Sequence, residues 1–566
     1  MKQLIECVPN FSEGRDREVI RQITDAIEAV EGVTLLDVDP GASTNRTVVT
    51  FVGAPAAVVE GAFAGIAKAA ELIDMRAHHG EHPRMGATDV CPLVPVAGIT
   101  MDEVVKYARR LAQRVGDELG IAVYLYEAAA TRPERKNLAT IRAGEYEGLR
   151  EKLAHPEWQP DYGPTMFNPR TGATVIGARD FLVAYNVNLN TTSTRRANAV
   201  AFDLRERGRV KREGDPLTGD VVRDEHGEPV RIPGVLEGVK AIGWYIEEYG
   251  ICQVSMNLTD LAVTPLHTAF EAAREQAAAR GMRVTGSELV GMVPLRVLRE
   301  AGEYYLRRQQ RSLGIPIREI LKIAVRSLGL DELAPFDPEK RVIELALAAR
   351  EAREPRLVDK SVTAFADAVA SESTTPGGGS TAATVGALGA ALGTMVANGS
   401  AHKRGWDDRW ETFSDWAVRG RAIMEELLPL VDADSAAFTA LMAAYGLSKG
   451  TDAERAARAE AIQAATKGAI EVPLRTMRAA RAALDVVREM AEIGNPNAVS
   501  DAGVGALCAR AAVRGAYLNV RINSAEIKDR AWLADVLAEA ARLDAEAEAL
   551  EAEILGLVEA AIDPPQ

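Results

Sequence analysis

The sequence predicts an α/β amino-terminal half of two related lobes, each a mixed sheet with packed helices, followed by an all-α helical-bundle domain. Residues 1–130 alternate β-rich runs with amphipathic helices, and a similar order begins again near Phe181. From Ser361 onward, nearly every segment has the Ala, Leu and Val spacing of long helices. Alternating elements followed by helices alone indicate separate domains. We expect a first lobe at 1–180, a second lobe at 181–347, a linker at 348–356 and a helical domain at 357–566.

In the first lobe, the period of the hydrophobic residues separates short strands from longer helices. The helix over Met101–Leu119 has the clearest boundary, because Thr100 stands where a capping side chain is expected. The other strands are predicted at 4–8, 33–38, 47–52 and 122–126, and the other helices at 15–30 and 56–72.

The second lobe repeats this order of strand, helix, two strands and helix. Its strands are predicted at 181–188, 240–246 and 252–257, and its helices at 192–206 and 264–280. The segment 207–233 is rich in charged and turn residues, which predicts a surface hairpin or a loop insertion.

Length and composition exclude several classes of protein. At 566 residues the chain is too long for one core. A net charge of −15 argues against nucleic-acid binding, which needs clustered Lys and Arg. No secretory signal is recognisable, and no uncharged apolar stretch is expected to reach the roughly 20 residues of a membrane span. We expect a cytoplasmic protein with no membrane partner, and widely spaced cysteines without a CxxC pair agree with a reducing compartment (Cys7, Cys91, Cys252 and Cys508).

The segment 78–86 carries the strongest chemical signal in the α/β half. Three of the seven histidines of the chain lie here within five residues, and His82 stands in a loop between glycine and proline. Histidine takes and returns a proton near neutral pH, so a fixed loop position favours catalysis. Two alternatives remain open. His82 could be a structural residue bonded to a backbone carbonyl, or the segment could bind a metal through His78, His79, Glu81 and His82.

Charged residues elsewhere in this half are candidates for substrate binding. Asp37 and Asp39 end a predicted strand, so their carboxylates could project into a cleft or cap a turn. Arg46 and Arg84 could grip substrate carboxylates with a bidentate fork, or they could be ordinary surface arginines.

In the helical half, a glycine-rich turn precedes an Ala-rich helix at Gly377, Gly378, Gly379 and Ser380. Backbone N–H groups at such a helix start can hold an anion, or the turn can simply cap the helix. The turn lacks the Gly-Lys-Ser/Thr ending of a Walker A loop.

Two aspartates of the helical half, Asp432 and Asp434, lie in an apolar stretch where a carboxyl can have a raised pKa and act as an acid or base. Residues two apart on a helix point in different directions, so at most one should face a given pocket. The basic run His402, Lys403 and Arg404 is either an anion-binding patch or a solvated helix end.

Four segments of the α/β half resemble the glutamate formimidoyltransferase family of folate enzymes. They are Cys-Val-Pro-Asn-Phe-Ser-Glu-Gly at 7–14, Ser-Thr-Asn-Arg-Thr at 43–47, Gly-Glu-His-Pro-Arg-Met-Gly at 80–86 and Ile-Arg-Ala-Gly-Glu-Tyr-Glu at 141–147. The helical half is similar to the formimidoyltetrahydrofolate cyclodeaminase family through Thr-Pro-Gly-Gly-Gly-Ser at 375–380, Leu-Val-Asp-Ala-Asp at 430–434 and Gly-Asn-Pro-Asn at 494–497. Together the two resemblances span nearly the whole chain, in the order found in the bifunctional enzymes.

The resemblance implies an enzyme of histidine degradation and one-carbon metabolism. Such an enzyme transfers the formimidoyl group of N-formimidoyl-L-glutamate to tetrahydrofolate. It then cyclises 5-formimidoyltetrahydrofolate to 5,10-methenyltetrahydrofolate and releases ammonia. Tetrahydrofolate is a carrier substrate here, and neither a metal nor a nicotinamide is implied. The alternatives are an enzyme with one inactive half or a formyl donor, and a folate-binding oligomeric scaffold.

The resemblance also assigns roles to residues. It implies that His82 is the general acid and base of the transferase, and that Asp434 is the catalytic carboxylate of the cyclodeaminase. It further implies a homo-oligomer and small-molecule substrates, possibly polyglutamylated folates. The segment 163–172 looks like the family's folate-contacting loop. Its residues join Asp39, Arg46, Arg84 and the glycine-rich turn as predicted substrate-binding residues (Gly163, Pro164, Thr165, Met166, Phe167, Asn168, Pro169, Arg170, Thr171 and Gly172).

Overall fold

A computed structural model of the chain describes residues 3–42, 45–80, 83–214, 218–351 and 356–563. The chain forms two compact units. The first contains residues 1–300 and 328–349, and the second contains residues 301–327 and 350–566. The first unit is the α/β half of the sequence prediction, and the second is mostly helical.

The first lobe of the α/β unit is built on a mixed sheet. The elements of this lobe are β1 (Leu4–Cys7), β2 (Asn10–Phe11), α1 (Arg17–Glu28), β3 (Val33–Gly41), β4 (Arg46–Gly53), α2 (Pro55–Leu72), β5 (Thr88–Ala97), α3 (Met101–Leu119), β6 (Ala122–Glu127), α4 (Leu138–Arg142), α5 (Leu149–Ala154) and β7 (Ala173–Ala178). Strands β3, β4, β1 and β5 form an antiparallel ladder, and β7 and then β6 extend it in parallel from β5.

The second lobe has a four-stranded antiparallel sheet in the order β11, β12, β8 and β13. Its elements are β8 (Val183–Leu189), α6 (Thr194–Leu204), β9 (Arg209–Val210), β10 (Arg231–Ile232), β11 (Val239–Ile246), β12 (Ile251–Leu258), α7 (Leu266–Ala278) and β13 (Val284–Val290). Strands β9 and β10 pair antiparallel, which confirms the hairpin predicted at 207–233.

The two lobes repeat one topology. The order β3-β4-β1-β5 in the first lobe matches β11-β12-β8-β13 in the second, strand for strand. Each lobe therefore follows strand, helix, strand, strand, helix, strand, and the predicted relation between the lobes is confirmed. The sequence prediction missed the last strand of each repeat. In β5 the reason is Pro92 and Pro95, because proline lacks the N–H of a regular ladder and argues against a central strand.

The helical unit is a bundle of long helices. The helices that follow β13 are α8 (Leu295–Arg308), α9 (Ile317–Leu328), α10 (Pro338–Arg341), α11 (Ile343–Glu351), α12 (Val362–Ala370), α13 (Gly378–Ala401), α14 (Trp410–Tyr445), α15 (Asp452–Ile493), α16 (Val499–Asn523) and α17 (Arg530–Ile562). Helices α13, α14, α15 and α16 pack around a core of Leu427, Leu474 and Leu484, and α17 packs against α15 and α16. This confirms the predicted all-α half.

Residues 301–327 belong to the helical unit, although the expected second lobe runs to residue 347. The hydroxyl of Ser312 donates to Asn398 of α13 at 2.6 Å, and the backbone N–H of Leu313 donates to Ser414 of α14 at 3.0 Å. The buried Arg421 of α14 donates to the carbonyl of Leu313 at 2.9 Å. The compact units therefore depart from the expected bounds at this segment.

Helix α13 corrects one sequence expectation. Its 24 residues carry no charged side chain, so an uncharged stretch longer than a membrane span does exist. Helix α13 and the segment 407–445 are both long and apolar enough to cross a membrane by length and composition alone. Most of α13 is buried within the bundle, where its alanine and glycine residues let neighbouring helices approach closely, and a buried core helix meets the same criteria.

Candidate active sites

In the first lobe, motif segments that are far apart in the chain meet around residues 78–86. The side chain of Asn45 joins two of them, because Oδ1 accepts the N–H of Gly14 and Nδ2 donates to the carbonyl of His79, both at 3.0 Å. The hydroxyl of Ser12 donates to the carbonyl of Gly86 at 2.7 Å. The described residues of the segments 7–14, 43–47 and 80–86 are thus held together by hydrogen bonds.

Arg84 ties the segment 141–147 to this cluster. Its side chain is 8% exposed, and Nε donates to Nδ1 of His78 at 3.2 Å. Nη1 donates to Glu145 at 3.2 Å and to Glu147 at 3.0 Å. Nη2 donates to Glu147 at 2.8 Å and to the carbonyl of His78 at 3.3 Å. All five N–H groups of the guanidinium are used within the protein, so the prediction that Arg84 grips a substrate carboxylate is not supported.

His78 is a structural histidine in this network. Its Nε2 lies 2.8 Å from the carbonyl oxygen of Asn45, and its Nδ1 accepts from Arg84. A carbonyl only accepts, so Nε2 carries the proton and the ring is the neutral Nε2–H tautomer. Burial lowers the pKa of His78 and the charge of Arg84 lowers it further, which keeps the ring neutral. His79, in contrast, has an exposed side chain.

A second ion pair lies below the segment. Asp89 is buried, pairs with Arg142, and accepts the N–H of Met85 at 3.0 Å. Burial raises the pKa of Asp89, and Arg142 opposes this shift. Arg46 and Asp39, two predicted binding residues, are diagonal neighbours on one face of strands β3 and β4, because Gly41 pairs with Arg46 and Asp39 pairs with Val48. Burial and the charge of Arg142 lower the pKa of Arg46, while Asp89 and Asp39 raise it.

The strand that carries Asp39 is longer than predicted. Strand β3 continues through Pro40 to Gly41, which pairs with Arg46 of β4. The proline is tolerated because β3 is an edge strand with only β4 beside it. Asp37 and Asp39 consequently lie within this strand with exposed side chains, and they do not stand at its end.

Two cavities open beside the segment 80–86. One of about 470 Å³ is lined by His79, Gly80 and Arg84 and by residues of the segment 141–147. The other, about 850 Å³, lies between the lobes, and its lining includes Pro83 of the first lobe and Lys240 of the second. His82 and Glu81 lie outside the described residues. Their described neighbours, Gly80 and Pro83, each line one of the cavities.

The predicted folate loop at 163–172 lies against the same segments. Gly172 forms a β-bridge with Gly86, and its φ of 65° brings it so close to the carbonyl of Met85 that a Cβ would lie 2.2 Å from that oxygen. The hydroxyl of Tyr146 donates to the carbonyl of Pro169 at 2.5 Å. The loop therefore packs against the described residues of the segment 80–86 and against the segment 141–147.

Individual residues of this loop have different surroundings. Asn168 holds the turn itself, since its Oδ1 accepts the N–H of Arg170 at 3.0 Å. The Arg170 side chain donates to the carbonyl of Glu71, so it braces the loop against α2. Met166 is 79% exposed, whereas the buried hydroxyl of Thr171 has no hydrogen-bond partner in the described part of the chain.

In the helical half, Asp434 of α14 lies at the first turn of α13. Oδ2 of Asp434 accepts the backbone N–H of Ser380 at 2.8 Å and its hydroxyl at 3.0 Å. A Cβ built on Gly379 would lie 2.1 Å from Oδ1 of Asp434, so only glycine allows this approach. Burial raises the pKa of Asp434, and the two hydrogen bonds from Ser380 oppose the shift. The N–H of Ser380, predicted to bind a substrate anion, binds this carboxylate instead.

The rest of the glycine-rich turn is open. A Cβ built on Gly377 would meet no atom within 4 Å, and one on Gly378 would meet only the amide nitrogen of Asn519 at 3.6 Å. Asp432 points elsewhere, since its Oδ1 accepts the N–H of Leu357 at 2.6 Å. The prediction that the two aspartates diverge is confirmed.

Two further expectations concern basic residues and metals. Lys403 packs over the ring of Trp406 at 4.0 Å, just past the carboxyl end of α13. No group of three or more His, Cys, Asp or Glu residues in the described ranges could hold a metal ion. Because Glu81 and His82 are not among those residues, the metal alternative for the segment 78–82 stays a prediction.

Comparison with known proteins gives matches along nearly the whole chain. Residues 4–179 match the family described as formiminotransferase domain, N-terminal subdomain; residues 184–348 match the formiminotransferase domain, and residues 361–542 match formiminotransferase-cyclodeaminase. The formimidoyltransferase-cyclodeaminase of Rattus norvegicus is 44% identical over 560 residues, which cover 99% of each chain.

Two shorter relatives each resemble part of the chain. The glutamate formimidoyltransferase of Thermoplasma acidophilum is 44% identical over 305 residues, which cover 54% of this chain and 92% of the relative. The methenyltetrahydrofolate cyclohydrolase of Methylorubrum extorquens is 40% identical over 205 residues, which cover 36% of this chain and 99% of the relative.

Proposed function

Because this chain belongs to the formimidoyltransferase-cyclodeaminase family, we propose that its α/β half transfers the formimidoyl group of N-formimidoyl-L-glutamate to tetrahydrofolate. Its helical half then cyclises 5-formimidoyltetrahydrofolate to 5,10-methenyltetrahydrofolate and releases ammonia. The chain is thus a bifunctional folate enzyme, a transferase joined to a cyclodeaminase. The observation that carries this conclusion is the similarity to a bifunctional relative along 99% of both chains.

In the transferase step, N5 of tetrahydrofolate attacks the formimidoyl carbon and gives a tetrahedral carbon that bears three nitrogens. N5 must lose a proton, and the glutamate nitrogen must gain one before its bond to carbon breaks. One imidazole can accept the first proton and return it to the leaving nitrogen. We assign this task to His82. Both ring nitrogens of the neighbouring His78 are committed to Arg84 and Asn45, which leaves His79 as the competing histidine in the described part of the segment.

The cavity between the lobes has a size suited to a folate. Its volume of about 850 Å³ lies within the usual range for small-molecule sites. Its lining carries both signs of charge, with three basic residues (Arg142, Arg179 and Lys240) and four acidic ones (Glu127, Glu145, Asp180 and Asp260). We propose that Arg179 and Lys240 bind the glutamyl carboxylates of the folate. With the guanidinium of Arg84 engaged inside the protein, Arg46 is the predicted arginine that we retain for binding formimidoylglutamate.

In the cyclodeaminase step, N10 attacks the formimidoyl carbon of the amidinium form. The carboxylate of Asp434 takes the N10 proton and passes it to the exocyclic nitrogen. That nitrogen then leaves as ammonia, the methenyl cation forms and the carboxylate is restored. Burial raises the pKa of Asp434, which suits a carboxyl that must both accept and return a proton.

We further propose that the enzyme is cytoplasmic, that its cyclodeaminase half is a lyase, and that folate serves as a carrier substrate without a resident metal or nicotinamide. We also propose a homo-oligomer. Helices α13 and α16 pack against each other and expose apolar side chains, which a second copy could cover (Leu388, Met395, Val504, Leu507 and Leu518).

The test is to give the purified protein formimidoylglutamate and tetrahydrofolate, and to follow ammonia together with the methenyl chromophore. Both activities predict equal amounts of ammonia and methenyl product. Transfer without ammonia would leave only the α/β half active, and binding without turnover would favour the scaffold. A chromophore that grows and then decays would add ring opening by water, the reaction named for the cyclohydrolase relative.

A further inference from the structure

The carboxyl group of Asp434 is held by one of its two oxygens. Both hydrogen bonds from Ser380, the backbone N–H at 2.8 Å and the hydroxyl at 3.0 Å, end on Oδ2. Ser380 is fully buried in the first turn of α13, whereas Asp434 is partly exposed. One side of the carboxyl is therefore fixed within the protein.

We propose that Ser380 is a positioning residue that keeps the proton of Asp434 on Oδ1, so that Oδ1 is the oxygen that exchanges protons with the folate. This inference rests on the proposed role of Asp434 in ring closure. It replaces the expectation that Ser380 contacts the substrate itself.

The argument follows from the number of lone pairs. A carboxylate oxygen accepts about two hydrogen bonds in its plane, and the two donors of Ser380 use both positions on Oδ2. When Asp434 is protonated, a proton on Oδ2 would have to displace one of these donors. A proton on Oδ1 leaves both in place and makes Oδ2 the carbonyl oxygen, which still accepts from them. The protonated acid therefore presents its O–H at Oδ1.

A neighbouring hydroxyl reinforces this arrangement. The hydroxyl oxygens of Ser380 and Ser435 lie 3.2 Å apart. Because the proton of Ser380 points to Asp434, Ser435 must be the donor of this contact. The chain of donors runs from Ser435 through Ser380 to Asp434, and such chains polarise each successive hydrogen bond.

Space around Oδ1 is also set by the glycine-rich turn. Oδ1 lies over Gly379, where a Cβ would stand 2.1 Å away. Gly379 and Ser380 of α13 contact the carboxyl, and Ser435 of its own helix contacts the hydroxyl of Ser380. Burial raises the pKa of Asp434 and the two hydrogen bonds from Ser380 lower it. Loss of the Ser380 hydroxyl should therefore move the pH dependence of ring closure.

The experiment compares Ser380→Ala with Ser435→Ala in the full-length enzyme, using supplied 5-formimidoyltetrahydrofolate. The hydroxyl of Ser380 favours the charged carboxylate, so its removal raises the pKa of Asp434 further. We expect the rate of ring closure to fall about tenfold or more, as for loss of a hydrogen bond to a charged group. The limb of the pH–rate profile that reports the titration of Asp434 should move to higher pH. Ser435→Ala keeps both bonds to Oδ2 and loses only the contact that polarises them, so it should move the limb less than Ser380→Ala does. Ser380→Thr, which retains a hydroxyl, should restore the wild-type limb.

Each outcome has a separate meaning. A slower Ser380→Ala enzyme with an unchanged pH limb would overturn the inference, because a merely structural serine lowers the rate without moving the titration. If Asp434→Asn abolishes ring closure but Ser380→Ala has the wild-type profile, only this inference fails. If Asp434→Asn closes the ring normally, the proposed function of Asp434 fails first. Formimidoyl transfer by the same preparations shows that the remainder of the chain is folded.

Discussion

The α/β half and the helical half assemble their candidate sites in different ways. Around residues 78–86 the polar side chains come from loops, and ion pairs hold these loops together, as Arg84 does with Glu145 and Glu147. In the helical half, Asp434 and Ser380 lie inside long helices that the bundle core already fixes.

The difference lies in what each site needs from its surroundings. A loop has no core of its own, so its geometry depends on a network of hydrogen bonds and salt bridges. Two packed helices need only a close approach, which Gly379 permits at Asp434. We therefore expect the transferase site to be sensitive to many substitutions, each of moderate effect. The cyclodeaminase site should be sensitive to only a few substitutions.

The largest effect should come from His82→Ala. Without an imidazole to accept and return the proton, formimidoyl transfer should fall by about 10² to 10⁴. Cyclisation of supplied 5-formimidoyltetrahydrofolate should be unchanged, because it depends on the helical half. The matched control is His79→Ala, which removes an exposed imidazole of the same segment. Loss of transfer in His79→Ala alone would move the catalytic role to His79. Loss of wild-type activity on chelation, restored by zinc, would support the metal alternative.

Asp434→Asn should affect the other half to a similar extent. Asparagine keeps the size of aspartate and can still accept a hydrogen bond, but it cannot exchange a proton, so ammonia release should fall by about 10² or more. 5-Formimidoyltetrahydrofolate should accumulate while transfer continues. In the control Asp432→Asn, the amide oxygen can still accept from Leu357, so activity should remain near normal. An inactive Asp432→Asn enzyme with a normal Asp434→Asn enzyme would reverse the assignment.

Gly379→Ala tests how closely two helices must approach. The added methyl would lie 2.1 Å from Oδ1 of Asp434, so the carboxyl must move and ring closure should fall about 10²-fold. Gly377→Ala places a methyl in open space at the same turn and should have little effect. Steady-state cyclisation rates of the two variants give the comparison. Equal rates would show that Asp434 tolerates displacement.

Arg84→Lys tests the ion-pair network of the α/β half. Lysine keeps the charge but not the planar fork, so the contacts to Glu145, Glu147 and His78 cannot all be made. We expect the free energy of unfolding of this half to fall by about 1–3 kcal/mol and kcat of transfer to fall about tenfold. Urea titration and steady-state kinetics would measure these changes. A rise in KM alone, with normal stability and kcat, would restore Arg84 as a substrate-binding residue.

The smallest effect on activity is expected for Glu6→Gln, which tests pH dependence. Burial raises the pKa of Glu6 from 4.5 to about 8, Arg179 opposes this shift and Glu344 adds to it. The folded state therefore holds the proton more tightly than the unfolded state, and stability declines as the pH rises from about 4.5 to about 8. Each pKa unit corresponds to about 1.4 kcal/mol.

Glu6→Gln should lose this decline, so its stability relative to wild type should improve from pH 5 to pH 9. The helical half offers the contrast. Its buried Asp544 is paired with Arg510 at 2.6 Å and Arg514 at 2.5 Å, so Asp544→Asn should destabilise near neutral pH. Thermal unfolding across pH would separate the two, and parallel curves for wild type and Glu6→Gln would contradict a buried neutral Glu6.

Features with local causes could be predicted from the sequence, whereas features with distant causes could not. Both ends of helix α3 are predictable from nearby residues, because Thr100 and Glu103 form a capping box at its start and Gly120, in the left-handed conformation, follows its last residue. The divergence of Asp432 and Asp434 follows from helix geometry alone. The contacts of Arg84 with Glu145 and Glu147 are not predictable from the sequence, because these partners lie 61 and 63 positions away.

The same limit applies to the glycine-rich turn. Its sequence indicates an anion at the start of α13, and an anion is there, but it is the side chain of Asp434, 54 positions from Ser380. No pattern near the turn identifies that partner. Both motifs, 375–380 and 430–434, can be recognised in the sequence, but the sequence does not show that they are in contact.

The excursion of residues 301–327 into the helical unit sets an order of events during biosynthesis. These residues leave the ribosome before Asn398, Ser414 and Arg421, to which they bind. At about 5–20 residues per second, their apolar side chains Leu306 and Ile320 wait on the order of ten seconds for those partners. By then Leu328, whose carbonyl accepts from Ser287 of β13, has already been made. The nascent α/β half thus carries a helical segment whose packing partners have not yet been synthesised. The later helices of the bundle then fold against that segment as translation proceeds.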